Sequence, residues 1–134
     1  MNNVCLTGRL TKNPDLRYTS SNLAYATFTL AVDGGVSRNT GEKLVDFISC
    51  IAWGKRGEFI RDWFERGMKM ELSGRLSSRS WDDDSGKRHW MMQVTVESCS
   101  FGESKRAREA IRNSADMQNR FTEITEDDGE VPFA

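Results

Sequence analysis

The 134 residues include only three cysteines, one histidine and two prolines. No apolar run approaches the roughly 18 residues that a membrane-crossing helix needs. Cys5, Cys50 and Cys99 are odd in number, lie far apart and form no Cys-x-x-Cys pair. With His89 as the sole histidine, a structural zinc site lacks ligands at workable spacing. Reduced thiols in a reducing compartment are expected, with Cys50 acting as a small buried hydrophobe. The start, MNNVCLTGRL, has no basic stretch followed by a long apolar one, so no signal peptide is read there and a cytoplasmic protein is expected. Gly34-Gly35 and Gly54 are not followed by the Gly-Lys-Ser/Thr of a phosphate loop. No nucleophile–base pair stands out either. The expectation is a protein without catalytic residues, cofactor or metal.

A large excess of one charge is also missing, since the formal net charge is −1. The distribution matters more than the total. Residues 1–102 hold 14 Lys and Arg against 12 Asp and Glu, whereas residues 103–134 hold 5 against 8. Residues 123–134 alone carry five carboxylates and no Lys or Arg. This asymmetry divides the chain into a mildly basic body over 1–102, read as one domain, and an acidic segment over 103–134.

Within the body, residues 3–10, 26–33, 44–53, 69–81 and 89–101 have the apolar, β-branched or alternating character of strands. GGVSRNTGEK, with no apolar anchor, is expected to form a long loop, and DDDSGK a turn in which Gly86 takes a positive φ. Residues 55–66 break the alternation. Phe59, Ile60, Trp63 and Phe64 lie on one face of a short helix that Gly67 ends, and Trp63 is expected in the core. Three strands, one helix and two strands fit an all-β, five-stranded Greek-key barrel plugged by the helix, the OB-fold arrangement. ESKRAREAIRNSADMQNRF can form a transient helix, but Ala107, Ala110 and Ile111 make too small a face to pack, and the end that follows is highly charged, so disorder is expected for most of 103–134.

Strand parity indicates where binding chemistry could lie, because successive side chains point to opposite faces. In 69–81, Met70, Leu72 and Leu76 share one face, while Lys69, Arg75, Arg79 and Trp81 share the other. A face with cations and a terminal tryptophan is not a core. In 44–53, Ile48, Cys50 and Ala52 oppose Phe47, Ser49, Ile51 and Trp53, and parity alone does not choose which set faces inward. Aromatics interleaved with Lys and Arg suit unpaired nucleic acid: bases stack on rings for roughly 1–3 kcal/mol each, whatever their identity. Phosphates need cations, which makes binding depend on salt. Phe47, Trp53 and Trp81 are the candidate platforms. Arg9, Arg17, Lys55, Arg66, Arg75 and Arg79 are the candidate phosphate contacts. Trp90 shares parity with Met92, Val94 and Val96, which points to core or interface. Asp82-Asp83-Asp84 beside His89 invites a metal-dependent nuclease reading. A solvated acidic turn is the plainer account, because no second cluster supplies the ligands of a two-metal site.

These residues resemble the bacterial single-stranded DNA-binding protein family, and within it the Firmicute-like branch or a phage relative. The resemblance is carried by Asn3-Val4-Cys5-Leu6-Thr7-Gly8-Arg9-Leu10, Pro14-Asp15-Leu16-Arg17-Tyr18 and Ala26-Thr27-Phe28-Thr29-Leu30-Ala31-Val32. It continues in Asp46-Phe47-Ile48-Ser49-Cys50 with Trp53, in Gly67, in Ser73-Gly74-Arg75-Leu76 and in Arg79-Ser80-Trp81, and so covers residues 2–101. It implies an OB-fold, a homotetramer and sequence-independent wrapping of single-stranded DNA in replication, repair and recombination. By position, the family's stacking aromatics fall on Phe47, Trp53 and Trp81, which turns that face of 44–53 outward. Its basic positions fall on Arg17, Lys55, Arg66 and Arg79. One stacking position of the family falls near Val36, where there is no ring.

The end of the chain is similar to the family's acidic tip, which binds replication and repair proteins. Asp127, Asp128, Glu130, Val131, Pro132 and Phe133 supply acids followed by an apolar end. Ala134 separates Phe133 from the terminal carboxylate, and the linker lacks the family's usual Gly, Gln and Pro richness.

Overall fold

The computed structural model describes the backbone of residues 1–127 and the side chains of residues 1–116. Its elements are β1 (Val4–Leu10), β2 (Asp15–Tyr18), β3 (Ala24–Val36), β4 (Lys43–Trp53), α1 (Lys55–Trp63), β5 (Lys69–Asp82), β6 (Arg88–Phe101) and α2 (Lys105–Asp127). Two units divide the described chain, Met1–Gly102 and the segment from Glu103 onward.

In the first unit the strands run β1-β5-β6-β4-β3, and β3 returns to β1 through Gly8↔Val32, Arg9↔Ala31 and Leu10↔Leu30. That closure makes a five-stranded barrel with no open edge between β1 and β3. All pairings are antiparallel except β4–β6, which is parallel at Cys50↔Val94 and Ile51↔Thr95. The sixth strand, β2, adds to β3 from Asp15↔Thr27 to Tyr18↔Ala24. The sequence reading did not include it, because four residues are too few to show alternation.

Leu10, Phe28, Leu30, Cys50, Met70, Leu72, Val94 and Val96 fill the barrel from alternate strand positions. The buried Cys50 thiol is pushed up to about 12 by desolvation, so it stays protonated and inert. Helix α1 closes one end. Gly57 lets it approach the sheet, since a Cβ there would come within 2.6 Å of the Ala52 carbonyl oxygen. Ile60 and Phe64 are wholly buried, and Phe64 stacks on Phe101 with centroids 4.7 Å apart.

Trp63 departs from expectation: it is 50% exposed and touches Phe59 rather than entering the core. The helix ends there, and Phe64 reaches inward from extended backbone (φ −116°, ψ 139°). The inward position therefore passes to Phe64, and Trp63 is left on the flank. Gly67 does not end the helix but lies in the turn that leads to β5, with φ +87°, where its amide donates to the Leu10 carbonyl. The long loop expected after residue 33 is also shorter, because β3 runs on to Val36 through an irregularity between Asp33 and Val36.

In the second unit, α2 occupies Lys105–Asp127, in the segment where a transient helix was open and disorder was expected for most residues. The Ser104 hydroxyl accepts from the Ala107 amide at 3.2 Å, and Lys105 lies 4.0 Å from Glu109 one turn on. Its four Arg, three Glu and three Ala carry helix propensity. No helix among the described residues is long and apolar enough to cross a membrane.

Candidate nucleic-acid interface

Register across the barrel gathers the aromatic and basic side chains onto one face. The β3–β4 ladder pairs Tyr25↔Trp53, Thr27↔Ile51, Thr29↔Ser49 and Ala31↔Phe47. The β5–β6 ladder pairs Arg75↔Thr95, Ser77↔Gln93, Arg79↔Met91 and Trp81↔His89. The parallel pair Ile51↔Thr95 joins the two sets, while Cys50↔Val94 lies on the core side. The parity left open by the sequence of 44–53 is thus resolved: Phe47, Ser49, Ile51 and Trp53 lie on the outer side of the sheet, with Ile51 itself buried at the floor of that surface.

Two adjoining hollows lie on this face. One, of about 460 Å³, is lined by Tyr25, Ile51, Trp53, Arg75, Arg79 and Gln93 among others. The next, of about 420 Å³, is lined by Lys12, Asn13, Thr29, Ser49, Arg79 and Met91 among others. Arg79 and Gln93 belong to both, so the two form one trough. Around it Phe47, Trp53 and Trp81 are 67%, 41% and 45% exposed. Large rings left in water beside cations are the feature that calls for a ligand.

The candidate cations are not equivalent. Arg75 and Arg79 line the trough beside Trp53. Arg17 occupies the row Arg17↔Tyr25↔Trp53 and is held by Asp15 at 3.0 Å. Arg9 shares the row of Ala31 and Phe47, and its Nη1 donates to the Gly67 carbonyl at 2.8 Å. Lys55 opens α1 two residues past Trp53 and is exposed. Arg66 is also exposed, but on the loop after α1, where its amide donates to Asn13 Oδ1 at 2.8 Å. Of the candidate tip, Asp127 is the last residue of α2, and Asp128, Glu130, Val131, Pro132 and Phe133 lie outside the described residues.

Sequence reasoning missed Tyr25, whose ring lies 5.3 Å from that of Trp53 and broadens that platform. It placed the strand start at residue 26, two positions after its beginning at Ala24. It also weighed His89 only as a metal ligand, whereas the imidazole stacks on Trp81, with centroids 5.6 Å apart and planes 23° apart. Asp83 is held by the turn rather than free for a metal. Its Oδ1 accepts from the Ser85 hydroxyl and from the Ser85 and Lys87 amides, and its Oδ2 lies 2.6 Å from His89 Nε2. These contacts, the Ser85 hydroxyl foremost and His89 next, lower its pKa to about 2. Among the described residues no three His, Cys, Asp or Glu side chains converge.

A closed barrel with an aromatic and basic trough across its sheet is the architecture of an OB-fold binding module. The model of the single-strand binding protein family matches residues 1–102, and the chain belongs to that family. It is 41% identical over 120 residues to single-stranded DNA-binding protein 2 of Listeria monocytogenes, covering 90% of this chain and 75% of that protein. It is 33% identical to single-stranded DNA-binding protein 3 of Streptococcus agalactiae over 99% of both chains. The single-stranded DNA-binding protein of Bacillus cereus is 41% identical over 118 residues, which is 88% of this chain and 69% of that one. These relatives are named for binding, not for a reaction.

Proposed function

We propose that the chain binds and coats single-stranded DNA along the trough, without catalysis and largely without regard to sequence. The observation that carries this reading is Trp53, backed by Tyr25, opening onto the same hollow as Arg75 and Arg79. Bases stack on Phe47, Trp53 and Trp81, and phosphates are met by Arg9, Arg17, Lys55, Arg66, Arg75 and Arg79. Stacking needs only a flat base, which makes the binding general. Membership of the family supports a role in replication, repair and recombination in the cytoplasm, at the nucleoid. It also supports a homotetramer, and the exposed Leu76, Trp90 and Met92 offer apolar surface for contact between copies. The acidic end, Asp127 to Phe133, recruits partner proteins, with its acids meeting a basic rim and its apolar end a pocket.

The test is a titration of the full-length chain with poly-dT at two salt concentrations, followed by intrinsic tryptophan fluorescence. Quenching with an affinity that falls as salt rises supports the reading. Absence of quenching, or an affinity indifferent to salt, overturns it.

A further inference from the structure

We propose that His89 belongs to the DNA face: it positions Trp81 for stacking and, when protonated, adds a cation that strengthens single-stranded DNA binding in mildly acidic solution. This rests on the DNA-binding reading above and assigns a role to a residue which that reading leaves out.

The geometry runs from the turn to the platform. Asp83 is fixed by three donors from Ser85 and Lys87, all on Oδ1, which leaves Oδ2 for His89 at 2.6 Å. An ionised carboxylate only accepts, so Nε2 carries the hydrogen, and the second proton is taken at Nδ1. With one ring nitrogen anchored, the imidazole lies against the indole of its cross-strand partner Trp81. An exposed tryptophan on a hairpin otherwise samples several rotamers. A ring packed on one of its faces restricts that freedom and leaves the other face for a base.

The His89 side chain is 40% exposed, within reach of a strand stacked on Trp81. The charged groups around it are Asp83, the Asp82–Arg88 pair (3.3 Å) on the neighbouring rung, Asp84 and Lys87 of the turn, and Arg79 two residues before Trp81. Asp82 and Arg88 offset each other. Neutral His89 leaves Asp83 a net anion at the end of the DNA track. Protonation cancels that anion, and Asp83 holds the resulting cation in place. His89 is the only histidine, and its side-chain type changes charge between pH 5 and 8.

The experiment measures binding of fluorescently labelled oligo-dT by full-length wild type, His89→Phe and His89→Ala, by anisotropy at several salt concentrations at pH 8.0 and pH 5.5. Circular dichroism verifies folding of each. One added phosphate contact steepens the salt slope by about 0.7 for a single strand. Wild type should therefore show a slope about 0.7 steeper at pH 5.5. His89→Phe keeps a ring against Trp81, so it should match wild type at pH 8.0 but lose the steepening. His89→Ala should lose the steepening and bind about 3- to 10-fold more weakly at pH 8.0, within the range of a partly lost stacking contact. An equal pH effect in wild type and His89→Phe overturns the charge role. Wild-type affinity in His89→Ala at pH 8.0 overturns the positioning role. If wild type itself fails to bind oligo-dT at either pH, the DNA-binding reading falls instead.

Discussion

The two faces of the β5–β6 hairpin each present a tryptophan to solvent, yet they differ in what surrounds it. Trp81 is 45% exposed and shares its face with Arg79, Arg75 and His89. Trp90 is 69% exposed and pairs across the ladder with Ser80, while Met92 pairs with Ser78 and Leu76 with Val94. One face combines rings with cations and turn-held polar groups. The other combines Trp90 with sulfur, aliphatic carbon and small hydroxyls, and at its end with Arg88, which is paired with Asp82 at 3.3 Å. A ring can stack a base on either face, but the first carries two arginines lining the trough, whereas the arginine on the second is already paired with a carboxylate. On the proposed reading, exposure does not single out a DNA-binding aromatic; the charge of its neighbours does.

The largest effect should come from removing two platforms on the charged face. Trp53→Ala combined with Trp81→Ala should weaken oligo-dT binding by about 30-fold or more, taking the low end of 1–3 kcal/mol per stacked base. The fold should persist, because neither side chain is in the core. Labelled-DNA anisotropy with a parallel melting curve separates the two outcomes.

Gly74→Ala should damage both faces together. A Cβ at Gly74 would lie 2.1 Å from the Thr95 carbonyl oxygen, on the rung next to the one that carries Arg75. Wedging the ladder open should destabilise the barrel by about 1–3 kcal/mol in urea denaturation.

Arg75→Gln with Arg79→Gln should reduce the salt slope of DNA binding by about 1.4, or about 0.7 for each lost phosphate contact. Trp90→Ser with Met92→Ser should leave that slope unchanged and shift the chain towards smaller assemblies in sedimentation.

The smallest effect concerns the turn. The pKa of Asp83 is about 2, below its ordinary 3.8, so its contribution to stability is complete above pH 4 and is lost as the pH falls through 2. Near-ultraviolet dichroism of the Trp81–His89 stack should change between pH 4 and 2. Asp83→Asn should remove that change.

The sequence disclosed the two hairpin faces because 69–81 and 89–101 alternate over long stretches, and parity is a strong signal there. Strand 44–53 was ambiguous for a physical reason. Phe47, Ile51 and Trp53 are apolar on the outer side, and Ile48, Cys50 and Ala52 are apolar on the inner side. Pairing with β3 and β6 resolves it in the direction the family resemblance implied. Tyr25 and β2 were lost at strand ends, where alternation has too few residues to register. Trp63 was misplaced because a nine-residue helix buries a narrow stripe, and Phe64 beyond its end takes the inward position. Helix α2 does carry a periodic signal, since Ala107, Ala110, Ile111, Met117, Phe121 and Ile124 recur at helical spacing, but only Ala107, Ala110 and Ile111 were weighed.

The central claim is that charged neighbours, not exposure, make a ring on this hairpin a DNA platform. Affinities of Trp81→Ala and Trp90→Ala for the same labelled oligo-dT, measured side by side at one salt concentration, test it most directly. Trp81→Ala should bind about 5-fold or more weakly than wild type, the low end for one stacked base, and Trp90→Ala within about 2-fold of it. Equal losses in the two variants, or the larger loss in Trp90→Ala, would contradict the account.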